Sequence, residues 1–320
     1  RSLSARVGGR RMRDRADREV DLTWAELRRA AVLQLAGGGS TNPEQEARWI
    51  VEETSGFRGA ELFGIEREGA TDAAARRVAA MVARRLDGEP LQYVLGSWSF
   101  RGIDLFVDPR VLIPRPETEL TAQLALDEAV RLGARRGRRA VSSDSEASFV
   151  VADLGTGSGA IAIALATELP DAEVWATDVS TDALAVARAN LAGAGSAAAR
   201  VRVAEGDWFA AIPDDRRGRL HVVVSNPPYV TEAEVRELPR EVADHEPRGA
   251  LVSGATGLES IERIVADASA WLAPRGAVVI ELDPRRADPA VALALAAGFG
   301  EARVERDLAG RARVLVARLG

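Results

Sequence analysis

The sequence predicts an α/β protein: a parallel sheet covered on both faces by helices, closed by an antiparallel strand pair and preceded by a small helical domain and a β-hairpin. Three observations predict it. Beyond Ser148, short apolar runs alternate with Ala-rich helical stretches, which is the rhythm of βαβ units. The last two apolar runs are separated only by a turn around Gly310, so they pair antiparallel. Ahead of residue 88 the apolar residues instead recur at three- and four-residue spacing. At 320 residues the chain is about twice the size of one typical domain, which accommodates this division.

The chain begins at Arg1 and its first methionine is Met12, so residues 1–20 read as a tag, upstream read-through or a disordered extension. The helical domain is placed over 21–88. Trp24, Leu27, Ala31 and Leu35 fall on one helical face, and Val78, Met81, Val82 and Leu86 on another. Asn42-Pro43-Glu44-Gln45 reads as a helix start, with proline at the first helical position and acids in the first turn. Aromatic and β-branched residues punctuated by Gly96 and Gly102 predict a hairpin linker over 89–112, with Tyr93-Val94-Leu95 and residues 103–107 as its arms. The α/β domain is placed over 113–320. It opens with a helix over 117–132 and an exposed, Arg-rich loop over 133–148. Strands are expected at 149–154, 173–178, 200–205, 220–225 and 277–282, with helices near 160–168, 180–192, 257–272 and 286–297, and a closing pair at 302–306 and 312–317.

Composition removes several functions. Forty-two basic against 48 acidic residues give a net charge of -6, which argues against a stable nucleic-acid partner. All the basic residues are arginine, and the cluster at 135–139 reads as a solvated loop rather than a docking patch for an acidic partner. Without cysteine there is no disulfide, no thiolate nucleophile and no cysteine metal site, and two histidines leave no zinc site, so no metal is expected. The longest uncharged runs, 30–43 and 154–167, have 14 residues each, too short for a bilayer, and no secretory apolar region follows the first arginines. A soluble, cytoplasmic chain with no membrane partner is expected, and nothing demands more than a monomer.

The chemistry concentrates at strand ends. The first strand runs into Asp153-Leu154-Gly155-Thr156-Gly157-Ser158-Gly159 and then directly into a helix. Glycines there let a ligand approach the backbone, and the helix N-terminus presents unpaired N–H groups to it. The bland alternative is a tight turn with no ligand; the G-x-G-x-G spacing also differs from the dinucleotide G-x-G-x-x-G. Strand two ends at Asp178, placed to accept from ribose hydroxyls or, alternatively, to cap the helix that Ser180 and Thr181 begin. After strand three, Asp207-Trp208 offers a carboxylate for an exocyclic amine and an indole face for a purine, or a plain core lid. Strand four ends in Ser225-Asn226-Pro227-Pro228-Tyr229. Two prolines remove two backbone donors and push Asn226 out of the helical region, leaving a rigid loop rich in acceptors. Such a loop suits an NH2 substrate. If Asn226 Oδ1 and the Pro227 carbonyl each accept one N–H, the nitrogen lone pair is turned toward an electrophile, and Tyr229 can pack on the planar group. With only three Asn and two Tyr in the chain, Asn226 and Tyr229 falling three positions apart is informative.

Glycine loop, Asp178 and Asn226-Pro227-Pro228-Tyr229 together resemble a class I S-adenosylmethionine-dependent N-methyltransferase, with its Rossmann-like sheet. Phe100-Arg101-Gly102, Phe106-Val107, residues 111–119 from Val111 through Arg115-Pro116-Glu117-Thr118-Glu119, Gly206-Asp207-Trp208-Phe209, Glu246-Pro247-Arg248, and Asp307 to Arg311 narrow the resemblance to the HemK/PrmC family. Those enzymes methylate N5 of the glutamine in the Gly-Gly-Gln loop of class I peptide chain release factors. The resemblance runs from Thr23 to the C-terminus and departs in the 1–20 extension and the 133–148 loop.

It implies S-adenosylmethionine as cofactor. Gly155, Thr156, Gly157, Ser158 and Gly159 would line its methionine part, Asp178 would hold the ribose, Asp207 and Trp208 would flank the adenine, and Asn226 would border both cofactor and substrate. Asn226, Pro227, Pro228 and Tyr229 would hold the target amide, with Asn226, Pro227 and Tyr229 as the catalytic set. Class I release factors are the implied partners and the helical domain their docking surface; a ribosomal-protein glutamine or a DNA adenine N6 are the alternative targets. Direct displacement needs no dedicated base, because the methylated nitrogen is acidic enough to lose its proton to water. His221, in a strand pattern, and His245, in an acid-rich loop, read as structural or surface groups.

Overall fold

The computed structural model describes residues 22–137 and 149–320. The N-terminal extension and most of the Arg-rich loop lie outside the described residues. The chain divides into two compact units, the first ending at Asp87 and the second beginning at Gly88.

The first unit is helical: α1 (Trp24–Gly37), α2 (Pro43–Ser55), α3 (Ala60–Ile65) and α4 (Asp72–Leu86). Helix α1 starts at a reciprocal cap, in which Thr23 and Glu26 each satisfy the other's backbone N–H. Thr71 caps α4 on one side only, its hydroxyl accepting from Ala74 N. Leu27, Ala31, Leu35, Val78, Met81 and Val82 are buried, as their spacing predicts, with Ile50 and Val51 of α2 buried as well and Trp24 half-buried. Leu86 is an exception, 45% exposed at the last turn of α4. Glu46 and Arg85 form a two-pronged ion pair between α2 and α4.

The second unit opens with the short helix α5 (Leu91–Leu95) and the hairpin strands β1 (Ser97–Phe100) and β2 (Ile103–Phe106). The expected β arm at Tyr93-Val94-Leu95 is therefore corrected to helix. Pro90 starts the turn, its carbonyl accepting from Tyr93 N and Val94 N, and Gly96 in the left-handed region ends it. The hairpin itself closes through Arg101 and Gly102, both at positive φ, which matches the right-handed twist of the strands.

Helix α6 (Thr118–Arg131) leads into β3 (Phe149–Leu154), α7 (Ala160–Glu168), β4 (Ala172–Asp178), α8 (Thr181–Ala192), β5 (Val201–Glu205) and β6 (Leu220–Ser225). A segment of short elements follows, β7 (Val230–Thr231), α9 (Arg240–His245), α10 (Arg248–Leu251) and β8 (Val252–Gly254), then α11 (Glu259–Trp271), β9 (Leu272–Glu281), α12 (Ala287–Ala296), β10 (Glu301–Arg306) and β11 (Ala312–Arg318). Among the described residues, seven strands form the sheet in the order β10-β11-β9-β6-β3-β4-β5; β11 is antiparallel to both its neighbours and the rest are parallel. Alternate residues of each strand supply the two faces. Val151, Val222, Val224 and Val279 pack under α6 and α7, while Val150, Val223, Val278 and Ile280 pack under α11 and α12. A buried Ile or Val contributes about 1.5–3 kcal/mol, so each face is anchored by several strong contacts.

Strand order reverses at β3, whose neighbours β4 and β6 lead away in opposite directions. The crevice outside the carboxyl ends of the strands at that reversal is where open α/β sheets bind ligands.

Candidate active site

A cavity of about 330 Å3 lies at this reversal point. Its wall includes Gly155, Thr156, Gly157 and Ser158 after β3, Asp178 after β4, Asp207 and Trp208 after β5, and Asn226 and Pro228 after β6. The sequence-derived residues thus converge with three exceptions. Gly159 stands behind the loop as the cap of α7, Pro227 is buried, and Tyr229 is half-buried near Glu281 and Arg313; none of the three is in the wall.

One side of the cavity is backbone. Gly155, Gly157 and Gly159 have φ of +71°, +54° and +82°, a run that side-chain-bearing residues adopt only with strain. Two carboxylates hold the loop in shape. Asp153 Oδ2 accepts from Thr156 Oγ1 at 2.6 Å and from Ala162 N at 3.0 Å, tying loop to helix. Asp178 Oδ2 accepts from Gly157 N and its Oδ1 from Ser180 N, both at 2.9 Å. Capping of α8 falls to Ser180, whose hydroxyl accepts from Ala183 N, so the capping alternative for Asp178 does not apply. Burial raises both carboxyls, Asp153 to about 7, with the backbone N–H groups of Ser180, Gly157 and Val179 opposing it at Asp178. Asn190 braces the loop from outside, donating to Ser158 O and to Phe106 O while accepting from Phe106 N.

The other side is built from side chains distant in sequence. Asn226 Nδ2 donates to Thr118 Oγ1 at 3.2 Å. Thr121, one turn along α6, donates to Glu281 Oε2 at 3.1 Å. Arg115 pairs with Glu246, Glu117 with Arg311 at 2.9 Å, and Glu119 accepts from Arg101 N at 2.9 Å. The run 115–119 therefore binds the hairpin, the 246–248 segment and the Asp307–Arg311 turn to the mouth of the sheet.

Family models match the chain in two places, "PrmC N-terminal domain" over residues 26–96 and "Methyltransferase small domain" over residues 140–244. A release factor glutamine methyltransferase of Burkholderia pseudomallei is 39% identical over 93% of this chain and 96% of its own length. The chain belongs to the release factor glutamine methyltransferase family. Another relative of that name, from Deinococcus radiodurans, is 37% identical over 92% of this chain and 97% of its own. Among solved structures, the hMettl16 catalytic domain in complex with MAT2A 3'UTR hairpin 6 aligns with a TM-score of 0.51 at 15% identity, over 78% of this chain and 82% of that one. That likeness shows the methyltransferase fold alone. Membership in the release factor glutamine methyltransferase family implies use of S-adenosylmethionine.

Four residues that shape this site had no role assigned from the sequence: Asp153 and Thr118, which stand within quoted motifs, and Asn190 and Glu281. Asp153 and Glu281 carried a usable signal, an ionisable residue near the carboxyl end of an otherwise apolar strand. Neither histidine lines the cavity. His221 Nδ1 accepts from Val150 N and its ring stacks on Phe149 at 4.2 Å, which is structural work, and burial lowers its pKa. Among the described residues no group of three or more potential ligands could hold a metal ion, and no helix is long and apolar enough to cross a membrane.

Proposed function

We propose that this chain transfers a methyl group from S-adenosylmethionine to N5 of the glutamine in the Gly-Gly-Gln loop of class I peptide chain release factors. The observation that carries this reading is the hydrogen bond from Asn226 Nδ2 to Thr118 Oγ1. With its donor end engaged, the Asn226 amide leaves Oδ1 at the cavity wall as an acceptor, the group an NH2 substrate requires.

The residues fit the cofactor. Side-chain-free glycines allow close backbone approach, so Gly155 to Gly159 would line the methionine part. Asp178, whose two oxygens each hold one N–H, keeps lone pairs for the ribose hydroxyls, and Asp207 with the Trp208 indole would flank the adenine. When bound, S-adenosylmethionine supplies an electrophilic methyl on its sulfonium. Asn226 Oδ1 and the Pro227 carbonyl each accept one N–H of the target amide, which turns the nitrogen lone pair out of conjugation and toward the methyl. Tyr229 stands behind the cavity wall and supports the Asn226 loop from there, and burial raises its hydroxyl pKa. No base is needed, because the methylated nitrogen releases its proton to water. The first unit serves as the docking surface for the release factor.

The test is transfer of labelled methyl to a purified class I release factor, beside a copy with the loop glutamine changed to Ala, with adenine-containing DNA as a third substrate. Label on the intact factor alone is expected. Label on DNA, or equal label on both factors, would overturn the reading.

A further inference from the structure

We infer that Glu281 is a positioning residue for methyl transfer: as a carboxylate it takes the Thr118 proton, and thereby fixes which end of the Asn226 amide faces the target. The inference rests on the reading that Asn226 Oδ1 accepts the substrate N–H.

The juxtaposition follows from register. Ser225 of β6 pairs with Ile280 of β9 in parallel, so Asn226 and Glu281 are the next residues outward on neighbouring strands. The first turn of α6 lies against them, presenting Thr118 and Thr121 at a spacing of three, on one helical face. Both hydroxyls stabilise the Glu281 carboxylate, Thr121 from 3.1 Å. Glu281 is 1% exposed, Thr118 4% and Thr121 0%, so the carboxyl and both hydroxyls are buried, with Thr118 alone of the three bordering the cavity. Glu281 is not in the cavity wall, whereas Thr118 is.

A threonine hydroxyl has one proton. When that proton goes to an ionised Glu281, Thr118 can offer Asn226 only a lone pair. Asn226 must then present its NH2 to Thr118 and its Oδ1 to the cavity, as observed. A protonated Glu281 can donate to Thr118 instead, which frees the Thr118 proton for Asn226 Oδ1. The amide then turns over and meets the substrate NH2 with its own NH2. Two donors face each other, and the target loses its acceptor.

The groups facing Glu281 come from three elements besides its own. Arg313 of β11 favours the carboxylate, but its guanidinium also lies 3.6 Å from Asp307. Glu117, just ahead of α6, opposes it, and the Tyr229 hydroxyl from the loop after β6 feels its charge. Burial dominates and pushes the carboxyl up to about 7, the two threonines working against it.

The experiment compares kcat and KM for release factor, and affinity for S-adenosylmethionine by calorimetry, in the wild type and in Glu281→Gln, Thr118→Val, Thr118→Ser and Asn226→Ala, from about pH 5.5 to about pH 8.5. Glu281→Gln and Thr118→Val are expected to lose roughly 10- to 100-fold in kcat, the effect of one mismatched buried partner, with cofactor affinity unchanged. Thr118→Ser keeps the hydroxyl and should restore most of the rate. Wild-type kcat should fall as pH drops through about 7, a limb that Glu281→Gln lacks. Wild-type kcat in Glu281→Gln, or the same acidic limb in both proteins, would overturn the inference. Should Glu281→Gln fail to fold, equal rates in Thr118→Val and Thr118→Ser would overturn it as well. An inactive Asn226→Ala beside a fully active Glu281→Gln sinks this inference alone, whereas a fully active Asn226→Ala, or a wild type that labels no release factor, sinks the functional reading beneath it.

Discussion

The two sides of the cavity are made in opposite ways. On the β3–β4 side the working surface is backbone, shaped by glycines and held by Asp153 and Asp178 from within about 25 residues of sequence. On the β6–β9 side the surface centres on one amide, hydrogen-bonded to a threonine 108 residues upstream. A backbone cradle suits a cofactor that never changes, and its geometry survives most single side-chain losses. An oriented amide suits a reacting group, because one hydrogen bond decides whether it accepts or donates. Failure of the first side should therefore appear in binding, and failure of the second in turnover.

The largest effect expected from this contrast is a split between two variants. Asn226→Ala should lose roughly 100- to 1,000-fold in kcat, about 3–4 kcal/mol of transition-state stabilisation, with cofactor Kd within a few-fold of wild type. Asp178→Ala removes the acceptor of Gly157 N and Ser180 N and should raise cofactor Kd by about 100-fold, with a smaller kcat effect once the cofactor saturates. Calorimetric Kd and single-turnover rates on both proteins test it. Equal damage to Kd and kcat in either variant would erase the distinction between the two sides.

A second prediction sharpens the comparison through stability. Burial raises Glu281 from an ordinary 4.5 to about 7. Between those values the folded state holds a proton that the unfolded state has released. More protons in the folded state mean that stability falls as pH rises, the reverse of a salt-bridged carboxylate. The contribution is present below about pH 4.5 and lost on approaching about pH 7, on the order of 3 kcal/mol in total. Glu281→Gln cannot titrate, so its denaturation midpoint should gain on wild type as pH rises across that window. A gap independent of pH would place Glu281 in an ordinary solvated setting.

How much of this was legible in the sequence follows the same division. The strands and the glycine loop were readable because contiguous residues make them: 149–154 and 220–225 are strands at the expected bounds. Asp178, Asp207 and Asn226 converge because each ends a strand of one parallel sheet, which topology alone brings to one edge. Tyr93-Val94-Leu95 misread as strand because a proline start and a glycine stop outweigh the β preference of Tyr and Val over five residues. Thr118 could not be read as the partner of Asn226, nor Thr121 as that of Glu281, since neither spacing nor residue type reveals that α6 lies across the ends of β6 and β9. The signature 115–119 was visible as a pattern, yet its physical content, three ion-pair or hydrogen-bond anchors around one threonine, appears only in three dimensions.

Smaller effects probe the cradle itself. Gly159 at φ +82° has Ile163 Cδ1 3.3 Å and Ala187 Cβ 3.4 Å from where a Cβ would stand. Gly159→Ala should cost about 1–2 kcal/mol from the left-handed backbone, plus a small packing shift, read as a lower melting temperature. Gly157 has a similar φ of +54° but open space at its Cβ position, so Gly157→Ala should show the backbone cost without the packing shift. Equal melting temperatures would mean that the Ile163 and Ala187 contacts yield freely.

The smallest expected change is at the outer rim. Asp207 is exposed on the cavity wall and pairs with Arg263 Nη2 at 2.6 Å, an ion pair open to solvent on both sides. Exposed pairs contribute about 0–1 kcal/mol and weaken with salt. Asp207→Asn should therefore leave the melting temperature nearly unchanged and raise cofactor Kd only a few-fold, a shift that raising the salt concentration reduces. A Kd loss as large as that of Asp178→Ala would move Asp207 from the rim to the heart of cofactor recognition, and the backbone side of the cavity would depend on a charge it does not bury.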